Sequence, residues 1–166
     1  ILLVGTMIYY TNFEMSADHM FLPVENLQFK TVEDNKITSD RLIIGIVYKE
    51  IAKAYPIQFL GYHHQVRDTL SDKQFMITYG TVCRTGRDYE PKDDQHHDQF
   101  RLVGMDHFNA MFEDSRTKSW WRQSTGEAIA DPSIHKFLPE YPSQLMTLSQ
   151  WITIHPQSLI MQLDTL

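Results

Sequence analysis

The chain reads as one mainly β domain, an α+β fold of antiparallel barrel-like or sandwich-like type with a single late helix. Three observations predict this. Short apolar runs alternate with polar residues, turn signals recur about every 8–12 residues, and only one segment carries a clear helix-start signal. At 166 residues and 42% hydrophobic composition, the chain can bury one sizeable core.

The strands follow in order. Leu42 to Tyr48 is β-branched and apolar, Lys49-Glu50 forms a hairpin tip, and Ile51 to Tyr55 returns toward Pro56. Gln65 to Leu70 and Gln74 to Tyr79 flank the polar Ser71-Asp72-Lys73 and make a second hairpin, with Phe75, Ile77 and Tyr79 alternating against Met76 and Thr78. This reading places His63 and His64 in extended chain, where adjacent side chains point to opposite faces. Arg84 to Tyr89 leaves a corner around Cys83, and a polar loop spans Pro91 to Asp98. Phe100 to Gly104, His107 to Glu113 and Ser119 to Arg122 are further strands, the last two joined by Asp114-Ser115-Arg116-Thr117.

The late helix runs from Thr147 to His155. Thr147 and Gln150 have the spacing of a capping box, in which the hydroxyl accepts from an orphan amide and the glutamine reaches back. Pro156 stops the helix, and Ser158 to Gln162 can add a terminal strand.

Three segments organise the chain. Residues 1–13 read as the end of a transmembrane helix, residues 14–40 as a linker packed on the domain, and residues 41–166 as the β-rich domain. The first ten residues are uncharged and end in Tyr9-Tyr10, an arrangement suited to a bilayer interface. Ten residues are too few to span a bilayer, which takes about 20. The next charges are acidic, with no Lys or Arg before Lys30, so the positive-inside rule puts the domain on the periplasmic or extracytoplasmic side. A buried N-terminal strand or helix is the alternative. A net charge of −6 without a basic cluster argues against nucleic acid as a partner.

One cysteine excludes an internal disulfide. Cys83 reads as a nucleophile, a soft-metal ligand or a small buried hydrophobe. Arg84 beside it would favour the thiolate. His63 could complete a thiolate-imidazole catalytic pair, or with Cys83, Met105 and His107 supply soft ligands suited to Cu(I). His96-His97 lies in the polar loop without a second cluster at ligand spacing. Trp120-Trp121-Arg122-Gln123-Ser124-Thr125-Gly126-Glu127 combines large aromatics with a turn glycine. Such a block anchors a sheet corner or borders a site, where Glu127 could carry a proton. No phosphate loop, nucleophile elbow, zinc-type spacing or dinucleotide fingerprint is present in the sequence.

Tyr79-Gly80-Thr81-Val82-Cys83-Arg84-Thr85-Gly86, Ala54-Tyr55-Pro56, Tyr62-His63 and Trp121 through Ile129 together resemble a bacterial domain-of-unknown-function family, number 3179, over roughly residues 41–161. That family usually carries a second cysteine where this chain has Gly80, giving Tyr-Cys-x-x-Cys. The resemblance implies a family-wide role, in packing or in a site, for Trp121, Gln123, Gly126 and Glu127, and it motivates a shared site for Cys83 and His63 bordered by Trp121 or Gln123, with Arg84 and Glu127 as further candidate binding residues. A dithiol cycle within this domain lacks its second sulfur. Two functions follow as expectations. One is a membrane-anchored extracytoplasmic domain with a thiol-redox or copper site. The other is a non-catalytic accessory subunit or assembly factor of a membrane protein complex, which Gly80 favours. Hydrolysis through Glu127 and a histidine has no spacing to support it.

Overall fold

The computed structural model describes residues 2–13, 21, 23–91, 99–130 and 132–162. Its elements are, in order, α1 (Leu2–Phe13), β1 (Phe29–Lys30), β2 (Leu42–Tyr48), β3 (Ile51–Pro56), α2 (Ile57–His63), β4 (Gln65–Leu70), β5 (Lys73–Gly80) and β6 (Thr85–Tyr89). There follow β7 (Phe100–Asp106), β8 (Asn109–Asp114), β9 (Trp120–Arg122), β10 (Ala128–Ala130), β11 (Glu140–Tyr141), β12 (Gln144–Thr147), α3 (Leu148–Ile154) and β13 (Leu159–Met161). The fold is mainly β, as the alternating runs predict. The described residues form three sheets and no closed barrel, with strand orders β1-β13-β3-β2-β12, β11-β6-β5-β4 and β10-β9-β8-β7.

Strand alternation stacks these sheets. On β2, Ile44 and Ile46 point into a core shared with Val66, Phe75 and Ile77 of the β11-β6-β5-β4 sheet. Ile43 points the other way, against Leu148 and Trp151 of α3. On β5, Phe75 and Ile77 face the first core while Met76 faces a second one, built with Tyr89, Phe112 and Trp121. The middle sheet is therefore apolar on both faces, and the layers run α3, first sheet, middle sheet, third sheet. Gly45 lies directly under Trp151, where a Cβ would stand 2.3 Å from the ring.

Both hairpins form, with Tyr48 opposite Ile51 across the expected Lys49-Glu50 tip; in the second, Lys73 belongs to the strand rather than the turn, opposite Leu70, so the tip is only Ser71-Asp72. Thr147 caps α3 with both halves of the capping box in place. The terminal strand β13 pairs parallel with β3 and antiparallel with β1, so the chain on either side of the domain closes one sheet edge.

Several expectations are corrected. His63 and His64 are not in a strand: His63 ends α2 and His64 is its left-handed C-cap, φ 61°. Pro56 ends β3 and presets the backbone for α2, whose Phe59 and Leu60 enter the first core. His107 and Phe108 form the β7–β8 turn with φ of 46° and 70°, so β8 starts at Asn109. The short strands β1, β10, β11 and β12 were not anticipated, being too brief to show alternation. His96-His97 and most of the Pro91 to Asp98 loop lie outside the described residues.

Candidate functional site

Cys83 sits in the turn between β5 and β6, which Gly80 and Thr85 close as a strand pair. Arg84 takes the left-handed conformation that turns the chain back, φ 52°, and the Thr85 hydroxyl donates to the Cys83 carbonyl at 3.1 Å. Cys83 is half-buried. Its S–H lies 3.7 Å from the Gly80 carbonyl and 3.8 Å from Gln123 Oε1, both acceptors. A Cβ added at Gly80 would stand 2.4 Å from Cys83 Sγ and 2.8 Å from Gln123 Oε1. Positions 80 and 83 thus share one small space, and glycine at 80 leaves it to the Cys83 sulfur.

Gln123 reaches this space from the third sheet. Its amide nitrogen donates to Thr78 Oγ1 at 2.9 Å and to the Thr85 carbonyl at 3.0 Å. The Tyr89 hydroxyl donates to the Gln123 carbonyl at 2.7 Å. In the backbone, Gln123 N–H donates to Ala110 O of β8 at 2.8 Å. Gln123 is buried, so each bond forms where water cannot compete. The Thr78 hydroxyl in turn donates to the Arg87 carbonyl at 2.6 Å.

The other residues singled out in the sequence are carried by several different elements. His63 lines a cleft between the second and third sheets and meets Tyr62 edge to face at 4.9 Å. Arg84 points to solvent, and Arg87 pairs with Glu140 at 2.5 Å. Trp121 fills the second core while its indole N–H donates to Asp114 Oδ2 at 2.8 Å. That carboxylate also accepts from the Arg116 and Thr117 amides, which holds the β8–β9 turn. Glu127 pairs with Arg122 at 3.1 Å and His135 at 3.8 Å. Arg122 also grips Asp106 at 2.6 Å, and its hydrogen bond, ahead of that from His107, holds the Asp106 carboxyl below the usual range. Met105 is exposed, and His107 is almost fully exposed beside Asp106. Among the described residues, no three His, Cys, Asp or Glu side chains are grouped so as to hold a metal ion.

Two features escaped the sequence reading. Asp88 on β6 is fully buried, and neither carboxylate oxygen has a hydrogen bond of good geometry. Burial pushes its pKa up to about 7, against weaker lowering by the Ser143 hydroxyl and the Thr78 amide. The second is a groove of about 350 Å³ where the edge strands β4 and β7 meet, lined among others by Gln65, Arg67, Arg101 and Lys118. The alternation of Gln65 and Arg67 on β4 was the one available signal for it.

The architecture defines a layered β domain in which one buried glutamine joins a cysteine-bearing turn to the neighbouring sheet. The chain belongs to the family described as protein of unknown function DUF3179, whose sequence profile matches residues 22–166. Neither the curated proteins nor the solved structures hold a significant match.

Proposed function

We propose that this chain is a non-catalytic accessory module of a membrane protein complex, tethered through its N-terminal segment with the folded part on the non-cytoplasmic side. The observation behind it is the engagement of Cys83. Its sulfur meets Gly80 O and Gln123 Oε1 inside a structural joint, while His63, Met105 and His107 stand on other elements. Tethering is supported by α1, an uncharged helix in which Leu2, Leu3, Val4, Met7, Ile8, Tyr9 and Tyr10 are all more than half exposed. A helix apolar all round needs an apolar surrounding. Twelve residues reach about 18 Å, and among the described residues no helix is long and apolar enough to cross a membrane.

Cys83 is itself the reporter, being the sole cysteine of the sequence and only partly buried. Intact cells treated with a membrane-impermeant maleimide should label Cys83 of the full protein without permeabilisation. Labelling that requires permeabilisation overturns the orientation, and release of the protein by a carbonate wash overturns the tether.

A second reading, a thiol-redox or copper site, is favoured by the convergence of positions 80 and 83 on one space. The two readings separate in a Cu(I) competition assay on the wild type, Cys83→Ala and His63→Ala. Equal retention by all three supports the accessory module. Retention lost in both variants supports the metal site.

A further inference from the structure

An open sheet edge presents backbone N–H and C=O groups at the spacing of another strand, and folded chains blunt such edges with charges, bulges, very short strands or a covering segment. Five of the six edge strands among the described residues are treated in this way. In the third sheet, β7 carries Arg101 and Asp106 and its register is interrupted between Leu102 and Gly104. On the opposite edge, β10 is covered by residues 135–136: the Ala128 amide donates to Lys136 O at 2.8 Å and the His135 amide to Ala128 O at 2.9 Å. In the middle sheet, β4 carries Arg67 and Asp68, and β11 is two residues long and includes Glu140. In the first sheet, β1 is two residues long and carries Lys30.

The sixth edge strand, β12, is different. Gln144-Leu145-Met146-Thr147 holds no charge and no proline, its four residues pair in unbroken register with β2, and Gln144 and Leu145 are both exposed. The register also places each side chain. Met146 lies opposite Ile43 and packs on the Trp151 side, whereas Leu145 lies opposite Ile44 and shares the face of the first core. Leu145 is nevertheless 55% exposed, and Leu42, diagonal to it on β2 and on the same face, is 50% exposed. Two leucines thus carry the apolar face of the first sheet out to an unprotected edge.

The chemistry of that edge specifies its partner. Backbone groups at strand spacing take another extended strand, and an uncharged edge gives a foreign strand no charge to recognise. A second copy of β12 meets it without repulsion. About a two-fold axis perpendicular to the sheet and centred on Leu145 or Met146, the two strands pair antiparallel and the same face of each sheet stays on the same side. Leu145 then stands opposite or diagonal to its counterpart and gains an apolar neighbour on its open side.

We propose that β12 is a self-association edge, through which two copies of this chain join their first sheets into one continuous sheet. A contact only a few residues long makes a weak, reversible dimer rather than an obligate one. It does not rest on the membrane tether.

The test is cross-linking of single-cysteine variants of the full chain with a short bismaleimide, in a mild detergent that keeps α1 covered. In a Cys83→Ser background, Leu145→Cys should give a covalent dimer, and Thr69→Cys, exposed on the charged edge strand β4, should give roughly tenfold less. A second measurement leaves Cys83 in place, so it holds even if the Cys83→Ser background does not fold. Leu145→Lys puts like charges across the axis and should weaken self-association roughly tenfold or more in sedimentation velocity, with the unfolding midpoint unchanged because the position is exposed. Equal cross-linking at 145 and 69, or an association untouched by Leu145→Lys, would overturn the proposal. A wild type that stays monomeric at every concentration would overturn it as well and assign the edge to a strand from another protein.

Discussion

The side-chain amide of Gln123 bonds to Thr78 Oγ1 at 2.9 Å, joining the turn after β9 in the third sheet to the middle strand β5 of the second. Both groups are buried, and the same amide also serves the Thr85 carbonyl at 3.0 Å. One side chain thus fixes the registry of two layers and the base of the turn that carries Cys83.

Truncating Gln123 should therefore be costly. Gln123→Ala leaves the Thr78 hydroxyl and the Thr85 carbonyl short of a donor and opens a cavity, a combined loss of about 3 kcal/mol. Urea unfolding checks it, and a loss below about 1 kcal/mol would mean that water replaces the amide. Gln123→Glu should be no better, because an acceptor would then face Thr78 Oγ1 and Thr85 O.

Gly80 and Cys83 should be coupled. A Cβ at position 80 meets Cys83 Sγ at 2.4 Å, so Gly80→Ala must displace the sulfur and should cost about 1–2 kcal/mol. In a Cys83→Ala background the part of that cost due to the sulfur should vanish, leaving the 2.8 Å approach to Gln123 Oε1. The measurement is a double-mutant cycle in denaturant, and simple additivity would show that the two positions do not share the space.

The helix α3 offers a local check. Thr147 Oγ1 accepts from the Gln150 amide at 3.4 Å, and Gln150 Oε1 accepts from the Thr147 amide at 3.1 Å. Thr147→Ala removes one half of this box and should lower stability by about 1 kcal/mol. An unchanged unfolding midpoint would show that packing of Trp151 alone holds the helix.

This cap was legible because its signal is local, as were both hairpins, whose strands run for six residues or more about short polar tips. The layering was less so. Phe75 and Met76 are both apolar, and only the assembled sheets show that they enter different cores. Helix α2 was missed because Ile57 to His63 spans two turns, too short for periodicity to declare itself, and Tyr62-His63 reads equally well as extended chain. For the site, the residues of the Trp121 block were visible as a unit, but their division of labour was not. Trp121 packs, Gln123 bridges and Glu127 pairs with Arg122, which depends on contacts made across the sheets. The groove at Arg67 was hidden for the same reason, since its second wall comes from β7 and β8, more than thirty residues away.

Asp88 makes the stability of the domain depend on pH in a direction that can be fixed beforehand. Its neighbours across the first core include Tyr55, whose own pKa burial raises, and Glu140 adds a repulsive charge from β11. The folded-state pKa is about 7, while an unfolded aspartate titrates near 3.9. Below about pH 4 both states hold the proton and the group has no differential effect. Between about pH 4 and 7 the folded state holds a proton that the unfolded state has lost, so stability falls by roughly 1.4 kcal/mol per pH unit as pH rises. Above the folded pKa the loss is complete. Asp88→Asn carries the same buried shape without the titration, so any fixed cost of its amide is the same at every pH. Its stability relative to the wild type should accordingly rise between pH 4 and pH 8, on the order of 3–4 kcal/mol by urea unfolding at each pH. A difference that stays flat across that range would show that the Asp88 carboxyl is stabilised in its charged form.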